Sequence, residues 1–469
     1  MAMRHLSISA LCTAAALFLL YTNWPVVAAQ RGIVPEGTAL LVPLLLAVAA
    51  VHQLVARRRG LVVDRTFLLM LGFLVVLLMG TVFAEGYDVA IERILVYLTE
   101  GLLIYVLVRH AVRSLPDLRV ATLAVLAGGA LLAGLTIFQT VTDNYDQEFM
   151  GLAPRTLEHL EELPPSAREE VGLEDRARGP VDEPNRFAQI LMMAGALGVV
   201  VALDAARRRG AMLAWACVLL LLGGVLLTYS RGALLTLLVL LLMAVPLRLI
   251  RPARLVGILS LGAVLIVAAV PGFTDRVATM AGVAGLFGPS AVEPDGPTKG
   301  RTTEMLAALA AYTDHPVLGV GPGQYLAFHS VRYQALPEIA FRELPVPRRA
   351  HNLYLEIAAE TGTIGLLVFM AIPMMLMLDL RWLRRTLHHR RPDLARIATG
   401  FTLALLAYLG TGVFLHLAFE RYYWVMVALA AAAVGVLEEQ AWENPVELDT
   451  AEVGNDLDDT ITTSGSMPC

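Results

Sequence analysis

The chain has 469 residues, of which 57% are hydrophobic and 16% are charged, with a formal net charge of −5. Soluble domains carry about 25% charged residues. This composition therefore excludes a soluble enzyme, a nucleic-acid-binding protein and a disordered chain. The three cysteines do not form the framework of a disulfide scaffold. The apolar residues lie in runs of about 17–25 without alternation, the pattern of membrane-spanning helices. The composition predicts an all-α, polytopic membrane helical bundle.

Twelve apolar runs are predicted to cross the membrane. They lie near residues 6–22, 36–56, 66–84, 93–111, 119–140, 186–204, 211–229, 231–247, 254–271, 351–378, 396–417 and 422–437. The first run could be a signal peptide, because Arg4 precedes it and small residues follow it. Its length favours a retained helix.

The arginines of the short loops predict the orientation of the bundle. Clusters such as 57–59 and 207–209 alternate along the chain with loops that hold about one arginine each. Because cytoplasmic loops carry the excess of Lys and Arg, both termini are predicted to be cytoplasmic.

This orientation divides the chain into six segments. They are helices 1–5 (1–141), a first long periplasmic loop (142–185), helices 6–9 (186–271), a large periplasmic loop (272–350), helices 10–12 (351–437) and an acidic cytoplasmic tail (438–469). The tail is predicted to be disordered, since residues 438–459 include nine acids and no base. Within the large loop, residues 300–316 are predicted to form an amphipathic helix. Its expected apolar face is Met305, Leu306, Leu309 and Ala310.

Two polar motifs occur where predicted helices begin at the outer face. In GPVDEPNRFAQIL, Asn185 is predicted to cap the sixth helix, which would place Arg186 at the membrane interface. In YSRGALL, Arg231 lies between two apolar runs on the side where arginines are rare, and Gly232 is predicted to allow the tight reversal. A buried guanidinium there requires an anion, either a carboxylate or a phosphate.

Two further motifs flank the end of the large loop. In GRTTEML and DHPVLGVGPGQY, Arg301 could face an anion or solvent, and the glycine-rich run predicts a rigid turn. In RRAHNLYLEIAAETGTIG, Arg348 and Arg349 precede His351 and Asn352, which begin the tenth helix. A helix N-terminus disfavours an imidazolium, so His351 is expected to accept a proton. Gly362 and Gly365 are expected to permit close packing against a neighbouring helix.

Together these motifs predict a cationic site at the outer face. Its members are Arg186, Arg231, Arg301, Arg348, Arg349 and His351. Many arginines with few obligate carboxylates point to a polyanion, most simply a diphosphate. No spacing typical of a zinc site occurs. Asp182 or Glu183 could hold Mg²⁺, but nothing in the sequence requires it, so no metal or other cofactor is predicted.

The motifs resemble those of the O-antigen ligase and polymerase superfamily. The set formed by His351, Asn352, Gly362 and Gly365 is similar to the histidine motif of that family. SRGALL, DEPNRFA and DHPVLGVGPGQY are similar to its other landmarks and follow the same order.

The resemblance implies an inverting, metal-independent glycosyltransferase of the bacterial inner membrane. Its donor would be a glycan linked to undecaprenyl diphosphate, and its acceptor a hydroxyl at the periplasmic face. Its helices would contact membrane lipids. We favour the ligase type, with lipid A–core as acceptor. By this resemblance Arg231 and His351 are catalytic. Together with Arg231, four further arginines would bind the diphosphate: Arg186, Arg301, Arg348 and Arg349. Asn185, Asn352, Gly362 and Gly365 support the site. The role of His351, as base or as phosphate ligand, stays open.

Three alternatives remain at this point. A polymerase that extends a glycan, or a protein O-oligosaccharyltransferase, would share the same motifs and differ in its acceptor. A twelve-helix anion or solute transporter would instead place polar residues near the membrane midplane, usually in two similar halves. The midspan candidates for such a site are Glu100 and His416.

Overall fold

The computed structural model describes residues 7–144, 147–153, 176–181, 183–205, 207–269, 296–342, 346–415 and 420–442. Every regular element in these ranges is helical, which confirms the predicted fold class. The helices are α1 (Ile8–Thr22), α2 (Trp24–Gln30), α3 (Glu36–Ala56), α4 (Arg65–Phe83), α5 (Tyr87–Val96), α6 (Ile104–Ala111), α7 (Leu115–Thr142), α8 (Pro184–Asp204), α9 (Arg208–Leu227), α10 (Arg231–Ala244), α11 (Pro252–Ala269), α12 (Gly296–Asp314), α13 (Ser330–Gln334), α14 (Leu353–Leu387), α15 (Pro392–Thr411) and α16 (Arg421–Trp442).

Helices occupy all of the predicted spans within the described ranges, but they differ in length. Eight are long and apolar enough to cross a membrane, and α1 with α2, bent by 51°, would make a ninth. The predicted span 93–111 instead combines α5 and α6 through a π-helical stretch, Tyr97–Leu103. Helix α10 has only 14 residues. The chain is thus a polytopic helical membrane protein with several short or interrupted helices.

Helix α16 lies at the centre of the bundle. Nearly every residue from Tyr422 to Leu437 is buried, and the rings of Tyr423 and Tyr408 stack with centroids 4.7 Å apart. The helix continues to Trp442, five residues into the predicted acidic tail. Glu439 in this extension pairs with Arg59 at 3.0 Å. The boundary predicted at 438 was therefore too early, and residues 443–469 lie outside the described ranges.

Helix α14 is broken at Gly362, which adopts φ 65° and ψ −166°. A continuous helix would join the amides of 363 and 364 to the carbonyls of 359 and 360. Here those amides donate to the carbonyls of Pro316 and Val317, at 2.8 and 3.4 Å. The carbonyls of 359 and 360 accept from the amides of 320 and 321, at 2.8 and 3.0 Å. The segment 316–321 therefore satisfies the backbone groups that the break exposes.

The two motif glycines of α14 have different roles. A Cβ at Gly362 would lie 2.2 Å from the carbonyl oxygen of Val317, so the close approach of the loop requires glycine. A Cβ at Gly365 would lie 2.0 Å from Oγ1 of Thr361 and 3.2 Å from Val76 of α4. The prediction that both glycines serve helix packing was wrong for Gly362, because a lone sequence cannot distinguish a packing glycine from a helix break.

Helix α12 covers most of the predicted amphipathic segment, begins four residues before it at Gly296, and packs on the first half of α14. Its buried face is made of Thr303, Glu304, Ala307, Ala308 and Ala311. The face predicted from Met305, Leu306, Leu309 and Ala310 is more accessible, with Leu309 40% exposed. Small alanine side chains allow a close approach of α12 to α14, and the larger apolar residues point away from it.

Candidate active site

Four arginines gather at one end of the bundle, and we call them the arginine group. They are Arg176, Arg178, Arg231 and Arg301. Arg176 lies within electrostatic reach of the other three guanidinium groups. Burial, together with these positive charges and against the opposing charge of Glu183, lowers the pKa of Arg176 to about 10. The group stays cationic at neutral pH and concentrates positive charge in a poorly solvated place.

Backbone and amide oxygens hold Arg176 in place, whereas Arg178 keeps an unused donor. Nε of Arg176 donates to the carbonyl of Thr228 at 2.9 Å, and Nη2 donates to Oδ1 of Asn185 at 3.3 Å. Arg178 is 7% exposed, and its Nε has no hydrogen-bond partner among the described residues. A buried donor without a partner is costly, so the site is suited to receive an acceptor such as a phosphate oxygen.

The reversal that carries Arg231 is built by the residues before it. Tyr229 takes the left-handed conformation with φ 50°, and Ser230 caps α10 by accepting from the amide of Ala233 at 3.3 Å. Gly232 lies in the first turn of α10, where a Cβ would lie 2.7 Å from the ring of Phe414. The predicted role of Gly232 in the reversal was wrong, since its small size serves packing instead.

Helix α8 is capped by Glu183 and not, as predicted, by Asn185. Pro184 occupies the first helical position, which needs no amide donor. The Glu183 carboxylate accepts from the amides of Asn185 and Arg186, at 3.1 and 2.6 Å. The Asn185 side chain donates to Glu183 at 2.6 Å and accepts from Arg176. Asn185 therefore links the cap of α8 to the arginine group.

Arg186 is paired with a carboxylate at the same end of the bundle. It forms an ion pair with Glu420, and its side chain is 26% exposed. Arg421, the residue after Glu420, pairs with Glu100 at 2.7 Å and donates to the side-chain oxygen of Asn23 at 3.0 Å. Of the two midspan candidates for a transport site, Glu100 thus has a cationic partner, and His416 lies outside the described residues.

A second cluster, the histidine group, consists of Glu304, Arg348 and His351. Nδ1 of His351 lies 2.7 Å from Oε2 of Glu304, and Nη1 of Arg348 lies 3.7 Å from Oε1. The Glu304 side chain is 2% exposed, and that of His351 is 28% exposed. The negative charge of this carboxylate favours a hydrogen on Nδ1. Nε2 then carries the lone pair that could accept a proton.

The backbone at His351 is held in an uncommon conformation. Its φ is 46°, in the left-handed region. Asn352 follows as the cap of α14, accepting from the amide of Leu355 at 3.0 Å and donating to the carbonyl of Val413 at 3.0 Å. The amide of Leu353 donates to the carbonyl of Gly412 at 2.8 Å. These contacts fix the residues on either side of Asn352 and thereby fix the direction of the histidine.

Helix α12 joins the two groups. Arg301 belongs to the arginine group, and Glu304, three residues later, belongs to the histidine group. Side chains three apart on a helix are neighbours. The structure therefore brings Arg231, Arg301, Arg348 and His351 into one region, whereas Arg186 has its own carboxylate partner.

Buried carboxylates lie behind the histidine group. Arg349 pairs with Glu356 at 3.3 Å, and the Glu356 side chain is 5% exposed. Glu360, one turn later, is also buried, and Arg93 lies within electrostatic reach of both. Burial raises the pKa of Tyr325, and these carboxylates raise it further, so its hydroxyl stays neutral. The pairing of Arg349 directs it toward this cluster and away from the arginine group.

Sequence reasoning missed three residues of this region. Arg176 and Arg178 immediately precede the first motif, and the signal was two arginines in a loop predicted to lie outside. Glu304 lies within GRTTEML, and only its contact with His351, 47 positions later, indicates that it belongs to the site.

Among the described residues, no three His, Cys, Asp or Glu are placed to hold a metal ion. Metal independence itself stays a prediction.

Comparison with known proteins identifies part of the chain. A family model described as O-Antigen ligase matches residues 215–370, which include Arg231, Arg301, His351 and Gly362. Arg176 and Arg186 precede the matched segment. No curated protein matches the chain. Residues 215–370 are therefore similar to the O-antigen ligase family, and this confirms the predicted resemblance to the superfamily of O-antigen ligases and polymerases.

Proposed function

We propose that the protein is an inverting, metal-independent glycosyltransferase of the bacterial inner membrane. It transfers a glycan from undecaprenyl diphosphate to an acceptor hydroxyl at the periplasmic face, with lipid A–core as the preferred acceptor. The observation that carries the proposal is the position of α12. This helix brings Arg301 to the arginine group and Glu304 to His351, so charge stabilisation and proton transfer can act on one substrate.

The arginine group would bind the leaving diphosphate. When the bond between the anomeric carbon and the phosphate oxygen breaks, its electron pair stays with the lipid diphosphate. Arg231 and Arg301, together with the unused Nε donor of Arg178, would stabilise that charge. Preorganised donors aimed at developing charge provide a large part of catalysis in many enzymes.

His351 would serve as the base. The acceptor oxygen attacks the anomeric carbon from the face opposite the diphosphate, and its proton passes to Nε2. Glu304 holds Nδ1 and stabilises the imidazolium that forms. A single displacement inverts the anomeric configuration. The proton then leaves to solvent, and lipid diphosphate is released.

The acceptor separates the proposed ligase from its nearest alternatives. If the protein is a ligase, a strain that lacks it would accumulate lipid-linked polymer while its lipid A–core stays unsubstituted. If the protein is a polymerase, the same deletion strain would carry single repeat units on the core. Unchanged lipopolysaccharide together with an underglycosylated protein would contradict both and favour a protein O-oligosaccharyltransferase.

The chemistry is tested with purified full-length protein, a lipid-linked glycan and the acceptor. We expect His351→Asn to abolish transfer, since asparagine tolerates the left-handed backbone but cannot act as the base. Arg208→Ala is the matched control because it removes an exposed arginine at the opposite end of the bundle. Transfer by His351→Asn at the wild-type rate would overturn the assignment of the base.

A further inference from the structure

A cavity with cationic walls lies at the end of the bundle opposite the candidate active site. Its volume is about 300 Å³, and Arg248, Arg384, His388 and Arg396 line it together with apolar residues such as Leu203 and Leu247. Helix α8 begins beside the arginine group and ends at this cavity. Its 21 residues span about 30 Å. One phosphate-bearing group therefore cannot occupy both places, so a ligand of this cavity would be distinct from the ligand of the candidate active site.

The positive charge of the cavity is only partly balanced. Arg396 pairs with Asp204 at 3.3 Å, and Arg384 donates to the carbonyl of Leu247 at 3.3 Å. Arg248 has no hydrogen bond or ion pair from its side chain among the described residues. Among the residues that the structure describes, no acidic side chain lines the cavity.

The nearby carboxylates are already shared among other arginines. Asp204 also lies 3.8 Å from Arg119. Asp393 pairs with Arg391 at 3.2 Å and lies 3.7 Å from Arg119. Arg384 is further surrounded by like charge, since Arg381, Arg385 and Arg248 lie within its electrostatic reach. The described part of this region therefore has more guanidinium groups than carboxylates.

Arg248 lies in the turn that follows α10. Its φ is 56°, in the left-handed region that is uncommon for residues other than glycine. Two backbone hydrogen bonds close the turn. The amide of Arg248 donates to the carbonyl of Val245 at 2.8 Å, and the amide of Leu249 donates to the carbonyl of Ala244 at 2.9 Å. This turn brings the Arg248 side chain to the wall of the cavity.

We propose that this cavity binds a phosphate group of an anionic ester. Guanidinium groups recognise phosphate oxygens with directed hydrogen bonds, and Arg248, Arg384 and Arg396 converge from three separate segments. The apolar wall fits the carbon skeleton that the phosphate esterifies. The ester is either the headgroup of an anionic phospholipid in the adjacent leaflet or a soluble phosphate ester, and both present the same chemistry to these residues.

The test measures binding of short-chain phosphatidylglycerol to the full-length protein in detergent by isothermal titration calorimetry. Short-chain phosphatidylcholine is the neutral-headgroup comparison, and glycerol phosphate is the soluble competitor. The variant Arg248→Asn/Arg384→Gln removes two guanidinium groups from the cavity, and asparagine tolerates the left-handed backbone at 248. The control Arg208→Ala/Arg209→Ala removes the same charge from exposed residues outside the cavity.

We expect wild type and control to bind phosphatidylglycerol at least about tenfold more tightly than phosphatidylcholine, and the cavity variant to lose this preference. Competition by glycerol phosphate would assign the site to soluble esters, and its absence would assign it to the lipid headgroup. An equal preference in the cavity variant, or an equal loss in the control, would overturn the proposal. Because Arg248→Asn removes no described side-chain contact, this single variant repeats the test if the double variant is unstable.

Discussion

Two sets of arginines lie at the same end of the bundle, and their surroundings differ. Arg186 and Arg421 each have a carboxylate partner, Glu420 and Glu100. In the arginine group, by contrast, Arg176 is surrounded by three other guanidinium groups and opposed by Glu183. Paired arginines hold helices together, whereas arginines that lie among other guanidinium groups are suited to bind an additional anion. The partner of each arginine, more than its sequence motif, therefore distinguishes a binding role from a structural one.

The largest expected effect is that of removing charge from the arginine group. We predict that Arg231→Ala and Arg301→Ala each lower the initial rate of glycan transfer by about 10³-fold, or about 4 kcal/mol of transition-state stabilisation. Initial rates with lipid-linked glycan measure this, and thermal unfolding checks that each variant is folded. Rates within tenfold of wild type in both variants would remove the distinction between crowded and paired arginines.

The break in α14 positions both clusters, so its loss should be nearly as severe. We predict that Gly362→Ala lowers the free energy of unfolding by about 3 kcal/mol, because alanine disfavours positive φ and its Cβ would collide with Val317. The control is Gly195→Ala, where a Cβ meets no atom within 4 Å. Denaturant unfolding compares the two variants, and an equal change in both would argue against a required break.

Glu304 acts through His351, so its effect should be smaller. We predict that Glu304→Gln lowers kcat by about 10–100-fold, or about 2 kcal/mol, while the KM for the lipid-linked donor stays near wild type. The split is expected because the arginine group, which would bind the donor, is unchanged. Steady-state kinetics with varied donor measure it. An increase in KM at constant kcat would indicate that Glu304 organises donor binding and not the base.

The smallest effect on transfer is expected at Arg186. We predict that Arg186→Gln lowers the rate by less than tenfold, about 1 kcal/mol, because Glu420 already uses this arginine. Its main cost should be stability, since Glu420 is left without its partner. The double variant Arg186→Gln/Glu420→Gln should therefore unfold at a higher temperature than Arg186→Gln. A rate loss as large as that of Arg231→Ala would place Arg186 in the binding machinery.

The predictable features depend on local sequence. Apolar runs of membrane length fix the all-α bundle, and the helix that carries Arg301 follows from its pattern. Family motifs locate Arg231 and His351. In the structure these residues occur within a site assembled from the loop before α8 and from α10, α12 and α14.

The features that were missed depend on contacts between distant segments. Gly362 breaks α14 only because residues 316–321 replace the missing backbone partners. Only the contact with His351 indicates a role for Glu304, and only the ion pair with Glu420 indicates a structural role for Arg186. Neither contact leaves a periodicity or spacing in the sequence. Glu183, and not Asn185, caps α8 because its carboxylate, one residue before Pro184, accepts hydrogen bonds from the amides of Asn185 and Arg186.

We propose that the arginine group, and not the paired Arg186, binds the diphosphate of the donor. Equilibrium binding of undecaprenyl diphosphate to full-length protein, compared with undecaprenyl monophosphate, tests this proposal. We expect that Arg231→Ala and Arg301→Ala each weaken diphosphate binding by about 100-fold, whereas Arg186→Gln weakens it by only a few-fold. Equal weakening in all three variants, or equal affinity of the wild type for diphosphate and monophosphate, would contradict it.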